Sequence, residues 1–140
     1  MKNIFTLFLI TFLSTLLISC NKEDTYKTFE DKHLKVQTTF TQKEKEYYVY
    51  FYKEGCPGCE KVKDLVFKQA KNTTLPLYFI NEKDVGDLLL RTNDENHSNY
   101  DARAFNEIRI YGFPTIILIN NGRVIAEFVG SGEITKELGS

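Results

Sequence analysis

The chain has 140 residues, a length suited to one compact domain. Its 18 basic and 19 acidic residues nearly cancel, to a formal charge of −1, so the composition gives no reason to expect nucleic-acid binding. There are only three cysteines, which allows each thiol to be considered individually.

The first residues have the features of an export signal. A short positive start is followed by an uncharged apolar run from Ile4 to Ile18. This run is too short for a comfortable membrane span and has the size of a signal-peptide core. It ends in Ser19-Cys20, which resembles the bacterial lipoprotein signal, in which the cysteine is lipidated and becomes the new N-terminus. We therefore expect residues 1–19 to be a lipoprotein signal peptide, with a plain secretory signal or an uncleaved anchor as the alternative.

The next stretch, to about Asp31, is polar and charged. We expect residues 20–31 to be the lipidated N-terminus and a tether, and residues 32–140 to be the folded domain. Ten extended residues span at most ~33 Å, enough to hold a small domain off a membrane. The start of the domain is ambiguous, because Phe29, His33, Val36 and Phe40 share one helical face while residues 36–41 could equally form a strand.

A strand followed by a helix start carries two of the cysteines. Residues 47–52 are an unbroken aromatic and β-branched run, typical of a strand buried on both faces. Cys56 is then expected at the N-cap, Pro57 at the first helical position and Cys59 in the first turn. Apolar residues continue at helical spacing, at Val62, Leu65, Val66 and Ala70.

This position favours thiol chemistry. Unpaired N–H groups and the helix dipole favour negative charge at a helix N-terminus, which lowers the pKa of a cysteine there from about 8.5. We expect Cys56 to attack a partner disulfide and Cys59 to resolve the mixed disulfide, with Pro57 and Gly58 forming the turn between them. The alternative is half of a zinc site, for which the rest of the chain offers only His33, His97 and Cys20. We expect no metal and no cofactor.

The middle of the chain predicts a crossover followed by a variable segment. Residues 75–80 are a second buried strand, parallel to the first because a helix lies between them. Residues 81–99 predict one short helix and then a polar loop, which either helps to select partners or is an insertion without a binding role. Nothing in the spacing requires His97, in this loop, to approach the thiols. Residues 100–108 predict a helix capped by Asp101 and packed through Ala104, Phe105 and Ile108.

The last part predicts a hairpin and a short helix. Residues 115–119 and 123–129 have strand patterns around Asn120-Asn121-Gly122, a sequence suited to a tight turn. Residues 133–138 are long enough only for a short final helix.

A CxxC pair after a hydrophobic strand, with Gly112-Phe113-Pro114-Thr115 and a closing hairpin about fifty residues later, resembles the thioredoxin family. The chain is similar in particular to the thioredoxin-like group that includes bacteriocin-transport accessory proteins. The resemblance implies an α/β thioredoxin fold, with a central mixed β-sheet flanked by helices. It also implies that the Phe113-Pro114 peptide bond is cis, lies against Cys56 and presents an extended substrate.

Three departures from that family restrict what it implies. Gly55 replaces the usual aromatic residue before the first cysteine. The residues between the cysteines are Pro57-Gly58, and the absence of a histidine there weighs against a strong oxidant. The buried acid that assists the resolving thiol in many members falls at Tyr50, and a tyrosine, with a pKa near 10, is a poor base. These departures favour a narrower role than fast, general disulfide reduction.

The sequence therefore predicts a membrane-anchored, extracytoplasmic thiol–disulfide oxidoreductase of a bacterium, with reductase preferred to oxidase. Its expected partners are the thiols or disulfides of exported proteins and a membrane redox protein that recharges the pair. The alternative is a non-enzymatic surface adaptor that uses the fold as a binding platform.

Overall fold

The computed structural model describes residues 23–88 and 98–140. The predictions for the signal peptide, Cys20 and His97 fall outside these residues. None of the helices within the two described ranges has the length and apolar character needed to cross a bilayer.

Four strands form one mixed sheet in the order β2-β1-β3-β4. The strands are β1 (Glu46–Tyr52), β2 (Leu77–Asn81), β3 (Thr115–Asn120) and β4 (Arg123–Val129). β1 pairs in parallel with β2 and antiparallel with β3, which pairs antiparallel with β4. The predicted central strand, the parallel crossover and the closing hairpin are confirmed, although β2 begins at Leu77, after Pro76.

β1 divides the core into two layers because alternate side chains of a strand point to opposite faces. Tyr48, Tyr50 and Tyr52 face one layer, while Tyr47, Val49 and Phe51 face the other. All six side chains are buried. The strand therefore has to be apolar along its whole length, which explains the unbroken run in the sequence.

Helices cover both faces of the sheet. α1 (Pro57–Ala70) and the C-terminal helix, Gly130–Leu138, lie on the Tyr50 face, where Ile134 is fully buried. The other face is covered by α2 (Glu82–Val85), by a 3₁₀ turn at Gly86–Leu88 and by buried Ile108 and Ile110. The C-terminal helix, α3, is short as predicted, but it begins at Gly130 and not at Glu133.

The expected tether through Asp31 is too long. Tyr26–Lys32 is a 3₁₀ segment that packs on the sheet, and its Phe29 is 6% exposed. The Phe29 ring lies 5.1 Å from that of Phe67 and 5.6 Å from that of Phe79, measured between centroids. The aromatic side chains therefore dock this segment on a part of the sheet beside α1, despite its charged neighbours. After it, the chain is neither of the two predicted forms but a bridge from His33 to Phe79 and a 3₁₀ turn at Val36–Thr38.

The predicted helix over residues 100–108 is wrong. Asp101 has a φ of 72°, in the left-handed region, and only Phe105–Glu107 forms a 3₁₀ turn. The backbone here instead pairs alongside β4, because Asp101 N–H donates to the Val124 carbonyl and Val124 N–H donates to the Ala102 carbonyl. Buried Asn99 binds both the N–H and the carbonyl of Arg109 through its side chain. These long-range hydrogen bonds outweigh the local helical pattern.

We predict that Phe29→Ala destabilises the protein by about 3 kcal/mol, since it removes a buried ring from between Phe67 and Phe79. Urea denaturation monitored by circular dichroism measures the change. Lys27→Ala, in the same segment but exposed, is the matched control and should change the free energy of unfolding by less than about 0.5 kcal/mol. Equal, small effects of the two substitutions would mean that this segment is a tether after all.

Candidate active site

The two thiols lie where β1 passes into α1. Gly55 has a φ of 71°, a left-handed conformation that glycine adopts without strain, and it turns the chain from the strand to the helix. Cys56 is the N-cap residue of α1 and Pro57 is the first helical residue, as predicted. The Cys59 N–H donates to the Sγ atom of Cys56 at 3.2 Å, so a sulfur performs the capping that an oxygen usually performs.

The outer and inner thiols differ in their exposure. Cys56 is half-buried, whereas Cys59 is completely buried, and both are free. The Cys59 thiol donates to the Cys56 Sγ at 2.7 Å. Two donors, an amide and a thiol, thus point at the outer sulfur.

Burial holds the inner thiol in its neutral form. Burial, followed by the hydrogen bond to Cys56, raises the pKa of Cys59 to about 12. Cys59 therefore keeps its proton near neutral pH. A partner disulfide can reach the Cys56 sulfur, and the protonated Cys59 sulfur lies buried behind it.

The Phe113-Pro114 segment lies directly against the pair. Its peptide bond is cis, as the resemblance implies, and Pro114 is buried. The Phe113 carbonyl lies 3.5 Å from the Cys56 Sγ. A Cβ atom added to Gly58 would lie only 2.9 Å from the Cδ atom of Pro114, so the absence of a side chain at Gly58 lets the two segments touch.

An aromatic cluster lies behind Cys59. Tyr50 lies in this cluster, and burial, followed by the charges of Tyr26 and Cys59, raises its pKa well above the ordinary tyrosine value. The ring of Tyr26 stacks on that of Tyr52, with centroids 3.9 Å apart and an interplanar angle of 9°. Tyr50 thus retains its proton and is not a base, as the sequence predicted.

Sequence reasoning missed the part that Tyr26 plays in this cluster, because Tyr26 lies in the stretch interpreted as a tether. The signal that could have found it is the pair of aromatic residues, Tyr26 and Phe29, in an otherwise charged stretch. Both stand one helical turn apart, which is typical of a segment that docks on a core.

The described residues offer no metal site at the thiols. No group of three or more histidine, cysteine or acidic side chains within residues 23–88 and 98–140 is arranged to hold a metal ion. Both ring nitrogens of His33 are already engaged, Nδ1 with the Phe29 carbonyl at 2.9 Å and Nε2 with the Tyr52 hydroxyl at 2.8 Å. Because a carbonyl can only accept, Nδ1 carries the proton in this contact.

The sheet order, the thiol pair at the start of α1 and the cis proline beside it define a protein of the thioredoxin class. The chain belongs to the family described as "Thioredoxin-like domain", which matches residues 34–137. A comparison with curated proteins finds no match.

Solved structures with the same fold include three thioredoxins. Mitochondrial thioredoxin 3 of Saccharomyces cerevisiae is 14% identical, with a TM-score of 0.55 over 77% of this chain and 91% of that one. Plasmodium falciparum thioredoxin is 16% identical, with a TM-score of 0.52 over 77% and 96%. Chlamydomonas reinhardtii thioredoxin f2 is 20% identical, with a TM-score of 0.50 over 76% and 89%. At these identities the likeness shows the fold, while the fold and the thiol pair together support thiol–disulfide exchange as the general class of chemistry.

We predict that Gly58→Ala destabilises the protein by about 1–2 kcal/mol, because the new methyl group meets the rigid ring of Pro114. It should also change the rate at which iodoacetamide alkylates Cys56, since the cis-proline segment has to move. Gly112→Ala, in open space two residues before Pro114, is the control and should be neutral or slightly stabilising. Equal melting temperatures and alkylation rates for the two variants would show that the contact is not restrictive.

Proposed function

We propose that this protein is a thiol–disulfide oxidoreductase in which Cys56 attacks and Cys59 resolves. The observation that carries the proposal is the pair itself: an accessible sulfur that accepts hydrogen bonds from the Cys59 amide and the Cys59 thiol, 2.7 Å from a buried, protonated sulfur. A structural thiol has no need of this asymmetry, and a catalytic pair depends on it.

The reduction of a partner disulfide proceeds in two displacements. The Cys56 thiolate attacks one partner sulfur, a Cys56–partner bond forms, and the partner disulfide breaks. The other partner sulfur leaves with the electron pair and takes up a proton. Cys59 then loses its proton and attacks the Cys56 Sγ, which forms the Cys56–Cys59 disulfide and expels the second partner sulfur. The partner gains two electrons and two protons, and the cysteine pair loses them.

The Phe113-Pro114 segment is proposed to present the partner. The Phe113 carbonyl reaches to 3.5 Å from the attacking sulfur, so an extended chain lying along this backbone would bring its disulfide to Cys56. Reductase is preferred to oxidase, since the turn is Pro57-Gly58 and lacks the histidine that favours an oxidant.

The proposed location is the outer face of a bacterial cytoplasmic membrane, with Cys20 as the lipid attachment and exported proteins as partners. The apolar run that ends in Ser19-Cys20 supports this proposal. An oxidising compartment also allows the pair to form a stable disulfide, and a membrane redox protein would return it to the working state.

Two single substitutions test the chemistry. With Cys20 replaced by serine in every chain compared, so that only the pair can react, Cys56→Ser should abolish thiol exchange with 5,5′-dithiobis(2-nitrobenzoate), because the accessible nucleophile is lost. Cys59→Ser should release one equivalent of thionitrobenzoate and retain a stable mixed disulfide, while the native chain should release two. Exchange that survives in Cys56→Ser would rule out the proposed enzyme and favour an adaptor.

The direction of electron flow follows from the equilibrium of the native pair with glutathione buffers, read by alkylation. A potential near about −270 mV indicates a reductase, and one near about −120 mV indicates an oxidase.

The anchor is tested by expressing the full chain in a bacterium grown with radiolabelled palmitate. The native chain should carry label and sediment with membranes, and Cys20→Ser should not carry label. A label that persists in Cys20→Ser, or a native chain without label, would contradict lipidation at this residue.

A further inference from the structure

Two buried hydroxyl groups in the core have no hydrogen-bond partner. Among the described residues, the hydroxyls of Tyr26 and Tyr50 are the buried side-chain nitrogen or oxygen atoms in this condition. Buried polar groups are nearly always paired, since an unpaired group loses its bonds to water without replacement. Two such exceptions in one place require a reason.

Both hydroxyls lie in the cluster that contains the inner thiol. Tyr50 reaches this cluster from β1 and Cys59 reaches it from the first turn of α1, and neither side chain is accessible to solvent. The Tyr50 hydroxyl interacts electrostatically with the Cys59 sulfur and with the Tyr26 hydroxyl, although neither contact has standard hydrogen-bond geometry.

The surrounding rings hold these hydroxyls in place. The Tyr50 ring stacks with that of Tyr52, at 5.8 Å between centroids and an angle of 7°, and Tyr52 in turn stacks on Tyr26. The ring of Phe67 meets that of Tyr26 edge-on at 5.1 Å. The Tyr50 hydroxyl is thus confined beside Cys59 and cannot turn out to water.

We propose that the Tyr50 hydroxyl donates a hydrogen bond to the sulfur of Cys59 when that sulfur becomes a thiolate during resolution. This inference rests on the proposed function and adds a catalytic residue to it. In this role the neutral Tyr50 hydroxyl stabilises the Cys59 thiolate by donating a hydrogen bond, instead of removing the Cys59 proton as a base. The hydroxyl is unpaired in the reduced protein because the acceptor that it serves, an anionic sulfur, exists only in the resolving step.

Tyr50 can serve as a donor and not as a base. Its pKa lies far above the ordinary tyrosine value because the site is buried, so its proton stays on the oxygen. The Cys59 proton therefore passes to solvent or to the departing partner sulfur. In either case the partner sulfur takes up one proton as Cys59 loses one. When it forms in the resolving step, the hydrogen bond from Tyr50 lowers the pKa of Cys59 and opposes the effect of burial.

The size of the effect follows from two opposing changes. The loss of a hydrogen bond to the charged sulfur raises the pKa of Cys59 by about one to two units, which lowers its thiolate fraction roughly ten- to a hundred-fold. A more basic thiolate is also a better nucleophile, which cancels nearly half of the loss. Tyr50→Phe should therefore slow resolution roughly three- to ten-fold at neutral pH.

The experiment follows the reaction of the reduced chain, with Cys20 replaced by serine and the pair native, with excess 5,5′-dithiobis(2-nitrobenzoate). The first release of thionitrobenzoate reports attack by Cys56 and depends on the reagent concentration. The second release is unimolecular and reports resolution by Cys59. Tyr50→Phe should leave the first rate unchanged and slow the second, and its reduced form should melt at the native temperature or above, because an unpaired buried hydroxyl has been removed.

Tyr48→Phe is the matched control. Tyr48 lies two residues earlier on the same face of β1, but its hydroxyl donates to Glu137, away from the thiols. Both of its rates should equal those of the native chain.

Two results would overturn the inference: an unchanged second release in Tyr50→Phe, or a slowing of both releases together with a lower melting temperature, which indicates a merely structural role. Failure of the proposed function looks different, since the native chain itself would then release no thionitrobenzoate from Cys56.

Discussion

The hydrogen bond from the Cys59 amide to the Cys56 sulfur is the contact on which the site depends. It joins the N-cap residue of α1 to the first turn of that helix and holds the two cysteines together. It is possible only because Gly55 turns the chain and Pro57, which has no N–H of its own, occupies the first helical position. A structural requirement, the capping of a helix, is thereby met by the same atom that is expected to perform the chemistry.

The parts of the fold that could be predicted from the sequence are those whose pattern is local and consistent. The run at 47–52, the helix signal at Cys56-Pro57 and the Asn121-Gly122 turn each agree with the surrounding hydrophobic pattern, and each is present where it was expected. The helix expected at 100–108 failed for a different reason. Asp101 and Ala102 pair with Val124, and the side chain of Asn99 binds the backbone of Arg109. No local sequence pattern reveals these partners.

Only some residues of the site could be predicted, because the others are identified by contacts that are distant in sequence. Cys56, Cys59 and Pro114 stand in motifs and could be assigned from spacing and resemblance. Tyr26 has no motif, and its importance comes from stacking on Tyr52, 26 residues later in the chain. Tyr50 was recognised as a poor base, but only the structure places its hydroxyl, without a partner, next to the inner sulfur.

The docked segment Tyr26–Lys32 makes the folding unit larger than the region of family resemblance. A recombinant fragment begun at residue 34, where the family match starts, would keep all four strands and both cysteines of the Cys56–Cys59 pair. It would nevertheless lose Tyr26 and Phe29, and with them the cover over Phe67 and Phe79. Water would then reach the back of the redox centre, so a fragment that looks complete by homology would present a differently solvated inner thiol from that of the intact chain.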